Sequence, residues 1–444
     1  VPQNLWAFPL ATRGETMYKV LTVAGSDSGG GAGIQTDLKT FAALGVYGTS
    51  VITALTAQNT QGVHGIHAVP PEFIACQLEA VLSDIPVHAA KTGMLGDADV
   101  ISIVANILTK YRITNLVVDP VMIAQSGHRL LPEHAVDALR DKLLPLAMVA
   151  TPNLPEAEIL LGREILSVAE MVAAAREIRR LGPRHVLIKG GHLRGTEMVD
   201  VFFDGKDVHL LSERKLDTIN THGTGCTYAA AIAAYLAKGS TPLDAFSRAK
   251  KFITNAISHG ICVGSGYGPT NPMGALFNEL ELGRVSRELT RALSLLQKTK
   301  QVVNLIAAGR TNLFCSPEGA GSLAEIISYP TPLLICHRQI GAVGEPIYDG
   351  RLFPAEYLLA AHKQNHRIRA MINLRHSPEI ASAINAISWQ AVTLNTPFSA
   401  LASVPEVLIL EDTPDKEPQL ILFAETVEEV AEKTAALARS FCGC

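Results

Sequence analysis

The run Val20-Leu21-Thr22-Val23-Ala24 leads directly into Gly25-Ser26-Asp27-Ser28-Gly29-Gly30-Gly31-Ala32-Gly33, and then into Ile34-Gln35-Thr36-Asp37. The first five residues read as a buried strand. The glycines after them permit positive φ and let backbone N–H groups come close to a ligand. A helix is expected from about Ile34. Strand, glycine turn and helix open an α/β fold and predict a binding loop at the carboxyl end of the strand. A dinucleotide-binding turn or a plain connecting loop satisfies the same pattern. The order Gly-x-x-x-x-Gly-Lys-Ser/Thr occurs nowhere, which disfavours a P-loop nucleotidase.

Outward from this stretch the pattern repeats. Strands are predicted at residues 49–55, 89–93, 115–119, 148–151 and 185–189, with helices at 71–82 and 98–111 between them. Aliphatic strands alternating with helices describe a parallel sheet covered by helices on both faces. Ligands collect at the carboxyl ends of such strands. Asp119, Asn153 and Lys189 stand at three of those ends. Residues 200–218 change pattern and read as a hairpin turning at Asp204-Gly205. Helix 242–258 follows, and residues 264–269 look like the closing loop of a domain. A charged helical connection is expected over 273–300. A smaller α/β domain is expected over 301–444, with strands at 304–306, 333–336, 370–374, 408–410 and 420–423 and helices at 355–363, 378–387 and 427–441. Residues 1–16, punctuated by Pro and Gly, are expected to be a disordered extension.

Composition narrows the classes. The chain has 444 residues, 48% hydrophobic and 18% charged, which excludes a disordered chain. A net charge of −4 leaves no basic excess for nucleic acid or an anionic membrane. The longest wholly apolar run, residues 228–237, is half the roughly 20 residues a spanning helix needs. The seven cysteines are scattered, odd in number and without a CxxC pair, which argues against a disulfide framework or a zinc site and for reducing cytoplasm.

A second glycine loop, Gly223-Thr224-Gly225-Cys226, opens an Ala-rich helix. Amides at a helix N-terminus stabilise phosphate charge. A cysteine there sits in the field of the helix dipole, which favours the thiolate and makes Cys226 a candidate general base toward a hydroxyl. A free cysteine is more often a small buried hydrophobe, the reading taken for the other six. Asn153 and Glu156, three apart, suit either of two roles: Mg²⁺ held through water, or a helix cap.

Together these pieces resemble the hydroxymethylpyrimidine/phosphomethylpyrimidine kinases of thiamine biosynthesis, within the ribokinase-like superfamily. The resemblance spans about residues 18–272. It rests on the loop 24–37, Thr53-Ala54-Leu55-Thr56-Ala57-Gln58-Asn59-Thr60, Lys91-Thr92-Gly93-Met94-Leu95, Val117-Val118-Asp119-Pro120-Val121-Met122, Thr151-Pro152-Asn153-Leu154-Pro155-Glu156, Lys189-Gly190-Gly191-His192 and Thr221-His222-Gly223-Thr224-Gly225-Cys226. It implies ATP and Mg²⁺ as cofactors and two successive phosphorylations, of the pyrimidine alcohol and then of its monophosphate. It implies a pyrimidine pocket at Gly25, Asp37, Gln58 and Met94. It implies a phosphate and metal side at Asp119, Asn153, Glu156, Lys189 and the loop Gly223, Thr224 and Gly225, with Cys226 as the catalytic base. The implied domains are a ribokinase-like kinase over 17–272, the connection 273–300 and a second domain over 301–444. A related kinase acting on pyridoxal, with a regulatory thiamine-phosphate-binding domain, is the alternative.

Beyond about Arg284, the segments Arg310-Thr311-Asn312-Leu313, Gly344-Glu345-Pro346, Met371-Ile372-Asn373-Leu374-Arg375-His376 and Asp415-Lys416-Glu417-Pro418 resemble a thiamine-phosphate synthase domain. The resemblance implies cationic residues early in the domain and before its helix, yet Pro332 and Phe353-Pro354 align there. Arg375 and His376 remain as phosphate candidates, and a weak synthase or a thiamine-phosphate-binding domain is expected. Expected partners are small molecules, with no nucleic acid and no membrane, and a homo-oligomer is expected.

Overall fold

The computed structural model describes residues 17–123, 127, 129–191, 193, 197–307, 309–395, 397–411 and 417–441. The expected extension 1–16, and His192, Asp415 and Lys416 of the quoted motifs, lie outside the described residues. The chain divides into two compact units between Leu276 and Phe277.

The first unit is built on one sheet. Its strands are β1 Lys19–Asp27, β2 Tyr47–Asn59, β3 Gly62–Ala68, β4 Ala89–Thr92, β5 Leu116–Val118, β6 Val149–Ala150, β7 His185–Ile188, β8 Glu197–Phe203 and β9 Val208–Arg214. They lie in the order β3-β2-β1-β4-β5-β6-β7-β8-β9. The pairs from β2 through β7 are parallel, and antiparallel hairpins close both edges. The helices are α1 Gly33–Ala43, α2 Pro71–Leu82, α3 Ala98–Lys110, α4 Glu133–Ala138, α5 Leu154–Leu161, α6 Val168–Arg179, α7 Thr224–Ala237 and α8 Pro242–Ser258.

The two-residue period of the strands sorts side chains between two cores. Leu21, Val23, Leu116 and Val118 pack against Leu78, Ile101, Leu160 and Ile178 of the helices on one face. Val20, Val117 and Leu187 pack against Phe41, Ala230 and Phe246 on the other. Helix α7 is buried from Thr227 to Ala237 and contacts the sheet, α1 and α8, so its alanines are what a helix enclosed on several sides requires. Strand β3 was not expected: its residues are largely exposed, so no alternation of apolar and polar residues marks it.

The second unit holds a seven-stranded sheet in the order β14-β11-β10-β15-β18-β17-β16. Its strands are β10 Leu313–Cys315, β11 Ile327–Ser328, β14 Ile347–Tyr348, β15 Ala370–Arg375, β16 Ala391–Thr393, β17 Val407–Leu410 and β18 Gln419–Ala424. Among the described residues of this sheet only β16 and β17 pair in parallel. A separate ribbon joins β12 Leu334–Cys336 to β13 Gln339–Gly341. Residues 304–306, expected as a strand, fall in or next to the 3-10 turn Lys300–Leu305, where Leu305 and Ile306 are buried without joining the sheet. Helix α10 Ala355–Gln364 packs one sheet face, and α11 Pro378–Ala386 and α12 Val427–Phe441 the other. Among the described residues no helix is long and apolar enough to cross a membrane.

The helix expected as a connection is α9 Gly274–Lys298, and it does more than connect. Val285, Leu289, Ala292 and Leu296, one helical stripe, are buried in the core of the second unit. Leu289→Ala should therefore cost about 2–5 kcal/mol in that unit. Hydrogen exchange should show β15 and β18 amides losing protection while β1 and β5 amides keep theirs. Uniform protection in both units would mean that the helix is only a linker.

Candidate active site

A cavity of about 740 Å³ opens in the first unit at the carboxyl ends of its parallel strands. Gly25, Gln58 and Met94 line one side, and Asp119, Asn153, Glu156, Lys189 and the loop Gly223, Thr224, Gly225 and Cys226 line the other. Met94 is pinned by Thr53 Oγ1, which donates to its carbonyl at 2.6 Å. A Cβ at Gly25 would stand 3.2 Å from Met94 Sδ, so that side chain would have to yield.

Asp37 is the exception. It is fully buried and does not reach the cavity. Helix periodicity puts it on the same face of α1 as Ile34 and Phe41, both buried. Its carboxylate accepts from Thr22 Oγ1 at 2.6 Å and from Lys91 Nζ at 2.9 Å, with Lys91 equally enclosed. Burial opposes the charge on Lys91, but Asp37, with further help from Cys226 and Asp119, outweighs it and raises the lysine pKa. A carboxylate of the first glycine loop that does line the cavity is Asp27, which sequence reasoning missed. It accepts from the amides of Gly29 at 2.8 Å, Gly31 at 3.0 Å and Ala32 at 2.8 Å, and from His222 Nε2 at 3.0 Å. Burial works to raise its pKa, but the His222 and backbone bonds win and hold it below the usual carboxylate range.

On the other side of the cavity Lys189 Nζ donates to Asp119 Oδ1 at 2.7 Å, and Thr151 Oγ1 donates to the same oxygen at 3.0 Å. Lys189 is enclosed, yet Asp119 and Glu156 raise its pKa and keep it charged. Asn153 and Glu156 form a reciprocal capping box at the start of α5: Glu156 N donates to Asn153 Oδ1 at 2.9 Å, and Asn153 N to Glu156 Oε2 at 2.8 Å. The capping role is thus realised, and both residues still face the cavity. Burial, opposed by Lys189 and reinforced by Asp119, pushes the Glu156 carboxyl up to about 7. Among the described residues no group of three or more His, Cys, Asp or Glu is arranged as a metal cage. Mg²⁺ asks for one or two carboxylates with water and phosphate completing its shell. Asp119 and Glu156 fit that demand.

Gly223 starts α7 at φ +79°, and a Cβ there would strike Gly31 O of the first loop. The two glycine loops therefore touch. Thr224 Oγ1 is committed to Thr221 O at 2.7 Å. A Cβ at Gly225 would lie 3.3 Å from Lys189 Nζ and 3.7 Å from Asp119 Oδ2, which locates the lysine and carboxylate over the helix end. Cys226 keeps part of its surface open to the cavity. The helix dipole does not make it a resting thiolate, contrary to expectation. Burial pushes the thiol up to about 11; Lys91 and the Gly33 amide lower it, while Asp37 and Asp119 add to the rise. A buried pair, Lys250 Nζ to Asp200 Oδ2 at 2.8 Å, also borders the cavity, with Asp200 Oδ1 accepting from Gly190 N at 2.9 Å. Its partners lie 50 residues apart, so no local motif announced it.

In the second unit Arg375 is exposed at the end of β15, and burial lowers the pKa of half-buried His376. Asn312 and Asn373 are buried in an amide network. Asn312 N donates to Asn373 Oδ1 at 2.8 Å, and Asn373 Nδ2 donates to Gln419 Oε1 at 2.9 Å. These motif residues therefore hold the sheet together.

The fold is ribokinase-like, with its cavity at the carboxyl ends of the parallel strands. Residues 27–271, over half of the chain, match the family of phosphomethylpyrimidine kinase, and residues 288–436 match that of thiamine-phosphate synthase ThiN. The chain belongs to the phosphomethylpyrimidine kinase family. It is 56% identical over 252 residues to a thiamine biosynthesis bifunctional protein of Geobacter sulfurreducens, covering 57% of this chain and 51% of that one. It is 52% identical over 254 residues to the hydroxymethylpyrimidine/phosphomethylpyrimidine kinase of Rhizobium meliloti, covering 56% of this chain and 95% of that one. An ADP complex of Bacillus subtilis pyridoxal kinase superimposes with a TM-score of 0.56 at 41% identity, covering 59% of this chain and 99% of that one. The chain spans about half the length of the bifunctional relatives it matches.

The Asp37–Lys91 pair yields a test. Asp37→Asn leaves a buried ammonium without its counter-charge and should cost about 3–5 kcal/mol of stability, read by denaturant unfolding, with a substrate KM close to that of the unmodified protein. An unchanged stability with a raised KM would return Asp37 to the binding site.

Proposed function

We propose that this chain transfers the γ-phosphoryl group of ATP to the hydroxymethyl group of an aminopyrimidine, and then to the resulting monophosphate. The observation that carries this reading is one cavity lined on one side by an amide, a thioether and a glycine, and on the other by a helix N-terminus, a lysine and two carboxylates. The amide of Gln58 can donate to and accept from an aminopyrimidine edge. The amides at the start of α7, together with Lys189, neutralise charge on the phosphoryl group in flight. Mg²⁺, held by Asp119 and Glu156, would supply further charge neutralisation on the nucleotide phosphates. In the first transfer the thiolate form of Cys226 takes the hydroxyl proton on Sγ, the new O–P bond forms, the bond from the γ-phosphorus to ADP breaks and ADP leaves. The test is to compare kcat/KM for the aminopyrimidine alcohol and for pyridoxal. Preference for pyridoxal would replace the reading with that of the structural neighbour.

We read the second unit as a binder of thiamine phosphate or its precursors with weak synthase activity at most. Pro332 and Phe353-Pro354 bring no charge to a departing pyrophosphate, and Arg375 lies at an exposed strand end. Assembly as a homo-oligomer in the cytoplasm accompanies this reading.

The two transfers differ in what they ask of Cys226. An alcohol must lose a proton, whereas a monophosphate oxygen is already ionised near neutral pH, its second pKa being about 6. Cys226→Ala should slow the alcohol step by roughly 10² and the phosphate step much less. The active form of Cys226 is the thiolate, and its pKa is pushed up to about 11. In the unmodified protein kcat/KM for the alcohol should therefore rise with pH, approaching tenfold per unit below that value. A flat profile together with normal turnover in Cys226→Ala would remove Cys226 from the chemistry.

Glu156→Gln should raise the Mg²⁺ concentration needed for half-maximal rate more than it raises the pyrimidine KM. An unchanged Mg²⁺ titration would leave Glu156 as a helix cap alone.

A further inference from the structure

His222 joins the first glycine loop to the Gln58 wall, and its hydrogen bonds can be counted. Its Nε2 lies 3.0 Å from Asp27 Oδ2 and 3.3 Å from the Gln58 amide. Its backbone is clamped, with His222 N donating to Gly268 O and Thr270 N to His222 O, each at 3.0 Å. Asp27 is held ionised by that histidine and by loop amides, against the effect of burial. An ionised carboxylate only accepts, so His222 Nε2 must carry a hydrogen. With Gln58 Nε2 facing the ring, two donors confront each other. At the other end of the amide, Thr56 Oγ1 would have to give its single hydrogen both to Ser26 O at 2.9 Å and to Gln58 Oε1 at 3.2 Å. Turning the amide over removes the donor–donor contact and relieves the threonine, with the His222 hydrogen then shared in a three-centre bond between Asp27 Oδ2 at 3.0 Å and the Gln58 oxygen at 3.3 Å. Gln58 Oε1 then accepts from His222, Gln58 Nε2 donates to Thr56 Oγ1, and the threonine hydrogen goes to Ser26 O.

We infer that Asp27 and His222 are positioning residues that lock the Gln58 amide in one orientation, and so decide which order of donor and acceptor on a ligand ring the cavity accepts. After its two internal bonds Gln58 retains one lone pair on the His222 side and one N–H on the Thr56 side. That edge matches a ring that offers an exocyclic amino donor beside a ring-nitrogen acceptor. It mismatches the corresponding oxo ring, in which carbonyl acceptor and ring N–H donor stand in reversed order. Without the His222 hydrogen only Thr56 faces the amide, and its hydroxyl can turn from Ser26 O to the Gln58 oxygen, so both amide orientations become available and the reversed order is rejected less. The inference rests on the pyrimidine-kinase reading above.

The experiment measures kcat/KM for the 4-amino pyrimidine alcohol and its 4-oxo analogue. In His222→Leu the KM for the amino substrate should rise about tenfold, the worth of one hydrogen bond. The amino-to-oxo ratio of kcat/KM should fall by at least as much, and His222→Gln, which restores a donor, should recover most of both. A ratio unchanged within twofold in folded His222→Leu overturns the inference. Thr56→Val supplies an independent arm if the leucine variant does not fold. Discrimination retained there supports orientation by His222, whereas its collapse shows that Thr56 orients the amide. Failure of the underlying reading looks different, because the unmodified protein would then turn over neither pyrimidine.

Discussion

Everything at the cavity depends on the contact between two glycine loops from distant parts of the chain. Gly223 of the second loop sits so close to Gly31 O that no Cβ fits between them, and its φ of +79° is one that a side chain rarely adopts. The Asp27–His222 bond spans the same junction. This closeness places the start of α7, with its amides and Cys226, beside the wall formed by Gly25 and Met94. A larger residue at either glycine would push the two sides of the cavity apart. The proposed phosphoryl transfer needs the two within bonding reach, because such catalysis is chiefly a matter of position and charge.

Two buried ion pairs brace this junction from beneath. Asp37–Lys91 ties α1 to β4 below the first loop, and Asp200–Lys250 ties β8 to α8 beside the Lys189 strand end. Buried pairs cost desolvation and add little net stability against an apolar replacement. Their value here is geometric: Asp200 also holds the Gly190 amide, and so the chain just past Lys189. They also bear on Cys226. Burial raises the thiol pKa most, Lys91 opposes it, and the carboxylates of Asp37 and Asp119 add to the rise.

Much of this was legible in the sequence, for physical reasons. Buried parallel strands such as Leu116–Val118 are aliphatic throughout and announce themselves. Helices Pro71–Leu82 and Pro242–Ser258 carry Pro in their first turn, and both were placed to the residue. The cavity residues at strand ends and in glycine loops follow from the fold class. Asp37 was misplaced although the signal was present: three residues after Ile34 and four before Phe41, it belongs to the buried stripe of α1. The Asp27–His222 bond links residues 195 apart, and nothing local encodes it. The helix dipole argument for Cys226 failed because it counted one field and omitted burial and two carboxylates. Helix α9 was legible as a helix but not as core, since its charged face dominates its composition while four buried positions decide where it packs.

The claim that the two loops form one site is open to a direct measurement. Isothermal titration of Gly223→Ala protein that retains its native melting transition would be carried out with the aminopyrimidine alcohol and with a non-hydrolysable ATP analogue, each alone. If the loop contact builds both halves of the cavity, both affinities fall at least about tenfold, since each half loses interactions worth 1.4 kcal/mol or more. Retention of either affinity at its original value would contradict the account, because the two loops would then be independent sites.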